Sequence, residues 1–190
     1  MTAYADIAVA LLAAGRGLRF GSDKLFAEIE GEPLGLKPAR TLIGLTFASH
    51  IAVCRHESEL AGHYKIFGFD VVINDRPEKG QAHSLHLAVK AAMLSEAKAL
   101  LVALADMPFV SATHLTALVA GYDGAVTAST NGATPMPPAI FPRDVWPDLL
   151  ATSGDAGARD LLKAAKLVAA PEGELNDIDT SADLPASKSG

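Results

Sequence analysis

The sequence predicts a three-layer α/β/α sandwich built on a mostly parallel β-sheet. Two observations predict this fold class. Apolar runs typical of strands alternate with helical patterns along most of the 190 residues. Several of these runs also lack the polar alternation of a half-exposed strand, as expected where helices cover both faces of a parallel sheet.

The apolar runs and the helical patterns set the order of the elements. Six runs predict strands at residues 7–13, 47–54, 70–73, 99–104, 125–130 and 167–170. The patterns between them predict helices at about 33–45, 57–68, 80–97, 111–119 and 155–164. Ser111 and Asp155 stand at the start of two helices, where we expect their side chains to act as N-caps. The proline-rich stretch before residues 139–141 is expected to form a loop.

Composition limits the class of protein. Hydrophobic residues make up 49% of the chain and charged residues 20%, so we expect one globular domain over 1–190, with the polar tail 187–190 frayed. The net charge is −6 and no basic run is present, which argues against a nucleic-acid partner. A single cysteine, Cys54, excludes an internal disulfide, and the apolar run 7–14 is too short to span a membrane. We therefore expect a cytoplasmic protein without a membrane partner.

The loop after the first predicted strand is the clearest binding signal. In an open parallel sheet, ligands bind beyond the carboxyl ends of the strands. Here the strand runs directly into the sequence AAGRGLRFGSDK, which covers residues 13–24. Glycines allow backbone N–H groups to face an anion, and Arg16, Arg19 and Lys24 add positive charges along the same loop. This combination suits a triphosphate.

Other types of loop agree less well with this spacing. The P-loop pattern is absent, because Ser22 and Asp23 separate Gly21 from Lys24. A dinucleotide-binding turn requires GxGxxG at the start of a helix, whereas this loop has GxGxxxG and no helical pattern before about Pro33. A surface loop with solvated charges is the remaining alternative.

Few side chains are candidates for holding a metal. Asp106 follows the apolar run 99–104, at the predicted mouth of the sheet, where an unpaired charge is costly. Carboxylate oxygens are hard ligands that suit Mg²⁺ together with substrate phosphates. By position alone, Asp106 would equally well cap the helix near Ser111. His83 and His86 lie three apart on a predicted helix, but they lack a third ligand and are expected to be solvated.

Four segments, in order along nearly the whole chain, resemble one family. The segment LAAGRGLRFGSDK resembles the signature of nucleotidyltransferases with a single Rossmann-like domain, and LADMP at 104–108 resembles their metal-binding aspartate segment. GDAGAR at 154–159 and NDIDT at 176–180 resemble the molybdenum cofactor cytidylyltransferases, relatives of the molybdopterin-guanine dinucleotide synthases. The resemblance implies a Rossmann-like sheet of the nucleotidyltransferase type.

The resemblance also implies roles for individual residues. Arg19, Lys24 and Asp106 would be catalytic, and Asp106 with Asp179 would hold Mg²⁺. Asp177 lies two residues before Asp179, and we expect its side chain to turn away from the metal. The implied nucleotide-binding residues are Leu12, Ala13, Ala14, Gly15, Gly17, Arg19, Lys24, Asn74, Gly80 and Ser84.

The implied reaction is transfer of CMP from CTP to a phosphorylated acceptor, molybdopterin, with release of pyrophosphate. Ala14 favours CTP over GTP, because guanylyl relatives tend to have glycine there and the added methyl group narrows the slot for the base. The sequence PMP at 135–137 departs from the family pattern on the acceptor side. A guanylyltransferase and a sugar- or polyol-phosphate nucleotidyltransferase are therefore alternatives. A non-catalytic protein that delivers a cofactor to a molybdoenzyme partner is a third.

Overall fold

The structure is a computed structural model that describes residues 4–15, 24–132, 134–154, 158–179 and 183. The predicted N-cap Asp155 and the tail 187–190 lie outside these residues. The strands are β1 (Ile7–Ala13), β2 (Glu28–Ile29), β3 (Glu32–Pro33), β4 (Ser49–Arg55), β5 (Asp70–Asn74), β6 (Ala99–Leu104), β7 (Thr127–Thr130), β8 (Pro135–Pro142) and β9 (Lys166–Ala169).

Six α-helices occur in the described part of the chain. They are α1 (Leu36–Ile43), α2 (Leu60–Ile66), α3 (Gln81–Ala92), α4 (Ala112–Gly121), α5 (Trp146–Ala151) and α6 (Arg159–Leu162). Short 3₁₀ helices lie at Tyr4–Asp6, Lys24–Phe26, Pro77–Lys79 and Arg143–Val145. Within the described ranges, no helix has both the length and the apolar character needed to cross a bilayer.

The predicted fold class is confirmed. Seven strands form one sheet in the order β5-β4-β1-β6-β8-β7-β9, while β2 and β3 pair separately as a small hairpin. The pairs β5–β4, β4–β1, β1–β6 and β7–β9 are parallel, and only β8 runs antiparallel to its neighbours. All six predicted strands are present, with ends displaced by two residues or fewer.

Helices cover both faces of the sheet, as the uninterrupted apolar runs predict. Every residue of β1 is buried. Ile7, Val9 and Leu11 pack into the core beneath α1, α2 and α4, whereas Ala8 and Ala10 pack into the core beneath α3, α5 and α6. The small alanine side chains allow α3 to lie close to the sheet.

The prediction of a loop through the proline-rich stretch is wrong, because Pro135–Pro142 is a central strand. Its residues Ala139–Pro142 pair with β6, and the register against β7 shifts between Ala128 and Ser129. The cis peptide Pro137-Pro138 lies in this shift, where the ladder is interrupted and a missing N–H costs no pairing. Residues 135–138 therefore extend past the end of β6 toward the mouth of the sheet.

The helix predicted over 80–97 ends earlier, at Ala92. The Arg143 guanidinium, which comes from the segment after β8, donates hydrogen bonds to the carbonyl oxygens of Met93, Ser95 and Ala97. Met93 is the C-cap of the helix, and the other two carbonyls belong to the segment that follows it. A distant arginine thus holds the end of this helix and the residues after it, which explains why the local pattern did not reveal its position.

Candidate active site

The strongest polar contact at the mouth of the sheet joins three of the predicted site residues. Lys24 Nζ donates hydrogen bonds to Asp106 Oδ2 at 2.8 Å and to Asp179 Oδ1 at 3.0 Å. Asp106 lies just beyond β6, and Lys24 begins the first 3₁₀ helix after the glycine-rich loop. The Lys24 residue is only 8% exposed, so its charge is largely removed from water. The ammonium therefore lies between two carboxylates that are far from it in sequence.

Backbone contacts hold the two acidic segments together. The N–H of Ile178 donates to the carbonyl oxygen of Asp106 at 2.9 Å. Upstream in the same segment, the Glu174 carboxylate accepts hydrogen bonds from the backbone N–H and the hydroxyl of Ser111. These two attachments fix residues 174–179 against the end of β6, and so they place Asp179 beside Lys24.

The capping alternative for Asp106 is wrong. Ser111 is the N-cap of α4, and its hydroxyl accepts a hydrogen bond from the backbone N–H of His114 at 3.1 Å. The predicted cap at Ser111 is thereby confirmed. The Asp106 carboxylate is directed to Lys24 instead.

The expectation that Asp177 turns away is also wrong. Ile178 is buried. Because successive side chains alternate in an extended segment, its two neighbours, Asp177 and Asp179, share the side that faces away from the core. Asp177 lines the same cleft as Asp106, and Asp179 contacts Lys24. Burial raises the pKa of the Asp177 carboxyl, and the nearby negative charge of Asp179 raises it further. Three carboxylates thus crowd one ammonium.

Electrostatics keep Lys24 charged. Burial by itself would lower the pKa of Lys24, but the Asp106 and Asp179 carboxylates outweigh burial and raise the pKa above 10.5. The lysine is therefore protonated throughout the physiological range. Its charge offsets part of the repulsion among the carboxylates.

The donor set suits a hard divalent cation. One oxygen each from Asp106 and Asp179 lies within 3.0 Å of the same ammonium nitrogen, so the two carboxylates already converge on a single cation. Mg²⁺ and Mn²⁺ take oxygen ligands of this kind and complete their coordination with water or phosphate oxygens. Among the described residues, no three His, Cys, Asp or Glu side chains are grouped so that they could hold a metal, so a cation on these two carboxylates would depend on water or phosphate oxygens for its other ligands.

A cleft of about 680 Å³ opens beside these residues, between α3 and α6 on one face of the sheet. Asp106 and Asp177 lie on its polar side, and Arg159 and Lys163 add positive charge from α6 and the residue that follows it. Most of the remaining lining is apolar: Leu12, Leu85, Val102, Leu104, Pro135, Met136, Pro137, Ala139, Phe141 and Leu162. The prolines are there because β8 extends past β6.

A buried hydrogen-bond chain supports this wall. Ser129 Oγ donates to the carbonyl oxygen of Pro138 at 2.8 Å, and its single hydrogen is then in use. His114 Nε2 lies 2.7 Å from the same Oγ, so Nε2 must be the protonated ring nitrogen. The other nitrogen, Nδ1, is buried without a partner, and burial lowers the pKa of His114. The histidine is therefore neutral, and with Ser129 it fixes the chain at Pro138.

Asn74 and Ser84, which were both predicted to contact the nucleotide, form a hydrogen bond with each other. Asn74 Nδ2 donates to Ser84 Oγ at 2.9 Å, and the backbone N–H of Arg76 donates to Asn74 Oδ1 at 2.9 Å. Asn74 is 1% exposed and Ser84 is 6% exposed. Gly80 precedes α3 with φ near 80°, a conformation that favours glycine. These contacts join the end of β5 to the start of α3.

The end of β1 lies next to the carboxylates. The backbone N–H of Ala105 donates to the carbonyl oxygen of Leu12, which brings Asp106 alongside this strand end. Ala13 and Ala14 are buried, and Gly15 is exposed directly after them. Arg16, Gly17 and Arg19 lie outside the described residues, so the predictions for Gly17 and Arg19 stay predictions.

Sequence reasoning missed several residues that shape the site. The serine and histidine of the buried chain, Ser129 and His114, show no local pattern that differs from ordinary surface residues. Arg159 stands in the segment GDAGAR, which gave a signal, but no role followed from it. His86 bonds to Thr152 Oγ1, and His83 Nε2 lies 3.9 Å from an Asp75 oxygen, so the two histidines do not converge on one point.

Comparison with known proteins identifies the family of the chain. The family described as MobA-like NTP transferase domain matches residues 9–170. Purine catabolism protein PucB of Bacillus subtilis is 33% identical over 183 residues, covering 89% of each chain. Among solved structures, a nucleotidyl transferase from Methanothermobacter thermautotrophicus has a TM-score of 0.75 at 24% identity and covers 93% of each chain.

A second solved structure also shares the fold. Rv0371C of Mycobacterium tuberculosis, in complex with manganese, has a TM-score of 0.66 at 19% identity, over 87% of this chain and 88% of that one. At this identity the likeness shows the shared fold. The family match, in contrast, spans both Lys24 and Asp106. The chain thus belongs to the MobA-like NTP transferase domain family of nucleotidyltransferases, a family that uses a divalent metal.

Proposed function

We propose that this nucleotidyltransferase transfers CMP from CTP to the phosphate of molybdopterin and releases pyrophosphate. The observation that supports this most directly is the convergence of Lys24, Asp106 and Asp179 at the mouth of a largely apolar cleft. Lysine and two carboxylates are the groups needed to hold a triphosphate and a divalent cation. The cleft next to them has room for a second substrate.

The residues divide the work as follows. Lys24, with Arg19, binds the triphosphate, and Asp106 with Asp179 holds Mg²⁺. Backbone groups at the end of β1 and in the glycine-rich loop, including Gly15 and Gly17, approach the nucleotide. Asn74, Gly80 and Ser84 position the start of α3 next to the nucleotide rather than bind it with their side chains, because Asn74 and Ser84 use their polar atoms on each other.

The reaction needs positioning and charge neutralisation. An oxygen of the acceptor phosphate attacks the α-phosphorus of CTP, a new P–O bond forms, and the bond to the β-phosphate oxygen breaks as pyrophosphate leaves. A phosphate monoester has a second pKa near 6 and is already ionised at neutral pH, so no general base is required. Bound Mg²⁺ supplies neutralisation of the phosphate charge, worth several kcal/mol. Lys24 adds a positive charge near the leaving pyrophosphate.

The cleft wall supports a ring-shaped acceptor over a polyol. Phe141, Met136 and Leu162 offer flat or deformable apolar surface, which suits a fused heterocycle. A polyol phosphate would place several hydroxyl groups against the same wall, where their lost hydrogen bonds to water would go uncompensated. Arg159 and Lys163 are at the edge of the cleft, available for polar groups of the acceptor. A molybdoenzyme that receives the product is the implied partner.

The nucleotide preference rests on Ala14. This residue is 3% exposed and packs into the core beneath α3, so its methyl group faces the core and not the open cleft. The preference for CTP therefore rests on the comparison with guanylyl relatives, which tend to have glycine at this position. A guanylyltransferase acting on the same acceptor is the second candidate, since only this one methyl group argues against it.

Pyrophosphate release tests the proposal. CTP, GTP, ATP and UTP are each combined with molybdopterin, inositol phosphate or a sugar phosphate, in the presence of Mg²⁺. We expect release with CTP and molybdopterin, and a larger rise of the melting temperature with CTP and Mg²⁺ than with GTP and Mg²⁺. Faster pyrophosphate release with GTP than with CTP would show that the enzyme is a guanylyltransferase. Release with a polyol phosphate but not with molybdopterin would show that the acceptor is a polyol phosphate. Binding without any release would indicate a delivery protein.

A further inference from the structure

Lys24 bonds both of the carboxylates that are proposed to hold the metal. Its nitrogen is within 3.0 Å of one oxygen from Asp106 and one from Asp179. The Lys24 side chain is 10% exposed, while the side chains of Asp106 and Asp179 are 24% and 48% exposed. The two carboxylates are thus partly exposed and also bound to the ammonium, and Asp106 lines the cleft.

An ammonium and a metal ion compete for the same oxygens. A carboxylate oxygen that bonds the lysine has less electron density to offer a metal, and the two cations repel each other when both are close. With Asp177 beside Asp106, three carboxylates lie near Lys24, while the other cleft cations, Arg159 and Lys163, come from α6 and the residue after it. Without the lysine, the group would repel itself strongly. The ammonium therefore acts as an internal counter-ion for the acidic group.

A triphosphate offers Lys24 another partner. It brings up to four negative charges, and the flexible lysine side chain has the reach to turn from a carboxylate to a phosphate oxygen. Each lysine bond given up at Asp106 or Asp179 is then replaced at the phosphate. The carboxylates freed in this exchange can bind the metal that the phosphates also need.

We propose that Lys24 links nucleotide binding to metal binding by exchanging partners, so that the metal binds weakly until a nucleotide draws the ammonium away from Asp106 and Asp179. The inference rests on the proposed roles of these three residues. Coupling of this type between two ligands is typically about 5- to 150-fold in affinity and is reciprocal. It makes Lys24 a positioning residue for the metal as well as a phosphate ligand.

The test measures metal binding, without turnover. Mn²⁺ is titrated by electron paramagnetic resonance into the wild-type chain, Lys24→Met and Lys163→Met, each with and without CTP, and the values with CTP are corrected for Mn²⁺ bound by CTP in solution. Lys163 lines the same cleft but bonds to Asp160, so Lys163→Met removes the same charge without removing the counter-ion. Lys24→Gln provides a second variant, and circular dichroism verifies the fold of each.

The expected result has two parts. Without CTP, Lys24→Met binds Mn²⁺ at least tenfold more tightly than the wild type, whereas Lys163→Met changes the affinity less than threefold. With CTP, the wild-type affinity for Mn²⁺ rises at least tenfold, and this rise falls below threefold in Lys24→Met and Lys24→Gln.

Two results would overturn the inference. One is unchanged or weaker Mn²⁺ binding by a folded Lys24→Met without CTP, and the other is a full CTP effect in both lysine variants. Failure of the proposed function would look different. If neither CTP nor another triphosphate binds the wild type, the titration without nucleotide still decides whether Lys24 is the counter-ion.

Discussion

Ser129→Ala should destabilise the protein and loosen the acceptor wall. The hydroxyl accepts a hydrogen bond from His114 Nε2 at 2.7 Å and donates one to the Pro138 carbonyl oxygen at 2.8 Å. Ser129 is fully buried, so its removal leaves one donor and one acceptor unpaired away from water. Each unpaired group costs about 1–3 kcal/mol, so we expect a loss of about 2–6 kcal/mol. For a chain of this size, that is roughly 4–24 °C in melting temperature.

Thr116→Ala is the matched control for this variant. Its hydroxyl also accepts one hydrogen bond, from the Tyr4 hydroxyl, and donates one, to the Ala112 carbonyl oxygen, but Thr116 is exposed. Water replaces both partners there, so thermal and urea unfolding should show a loss of about 1 kcal/mol or less. Ser129→Ala should also raise the KM for the acceptor more than the KM for CTP. A melting temperature for Ser129→Ala within 2 °C of the wild type would show that the two hydrogen bonds of Ser129 contribute little to stability.

Four more variants test the ionisable groups of the site, with Lys37→Met as the control for Lys24→Met. Lys24→Met should lower the free energy of unfolding by about 1–2 kcal/mol, a value between those for exposed and buried ion pairs. Lys37→Met should lower it by less than about 1 kcal/mol, because the partner carboxylate of Lys37 is exposed. Thermal unfolding measures both changes. Asp106→Asn should lower turnover by about a hundredfold and Asp177→Asn by about tenfold. Both carboxylates face the cleft, but only Asp106 contacts the lysine. Equal turnover of the two variants in steady-state assays would contradict this. Burial lowers the pKa of His114, so the folded protein favours the neutral histidine. The stability that this preference contributes is complete above about pH 6.5 and is lost as the pH falls below that value. Melting curves of His114→Gln should lack this loss.

Local patterns predicted most of the sheet. The buried strands at residues 7–13 and 99–104 have the predicted bounds, because burial on both faces requires apolar residues at every position. The cap at Ser111 followed from local hydrogen bonding as well. The strand Pro135–Pro142 did not, since its prolines are tolerated only where the register against β7 shifts, and that register depends on the folded sheet. The short helix Trp146–Ala151 was also missed, although Pro147 marks its first turn.

The sequence pointed to three residues that converge, but not to the contacts among them. The glycine-rich loop and the motif resemblance indicated Lys24, Asp106 and Asp179, and the two aspartates lie 82 and 155 positions from the lysine. No pattern in the sequence indicates that this lysine bonds to these carboxylates, and their roles toward phosphate and metal stay predictions. The direction of Asp177 was misjudged because residues two apart in an extended segment share one side. Ile178 lies between Asp177 and Asp179 and faces the core, so both aspartates face away from it.

The contact of Lys24 with the carboxylates follows from the cost of unpaired charge. An enzyme that binds a triphosphate and a metal needs a positive group for the phosphates and negative groups for the metal. Held apart at a partly buried cleft, each would lose hydration without gaining a partner. Placed together, Lys24, Asp106 and Asp179 stabilise each other at 2.8 and 3.0 Å. In the proposed function, binding of substrate and metal is then an exchange of partners, and we expect the affinity of each ligand to depend on the bonds that the site must give up.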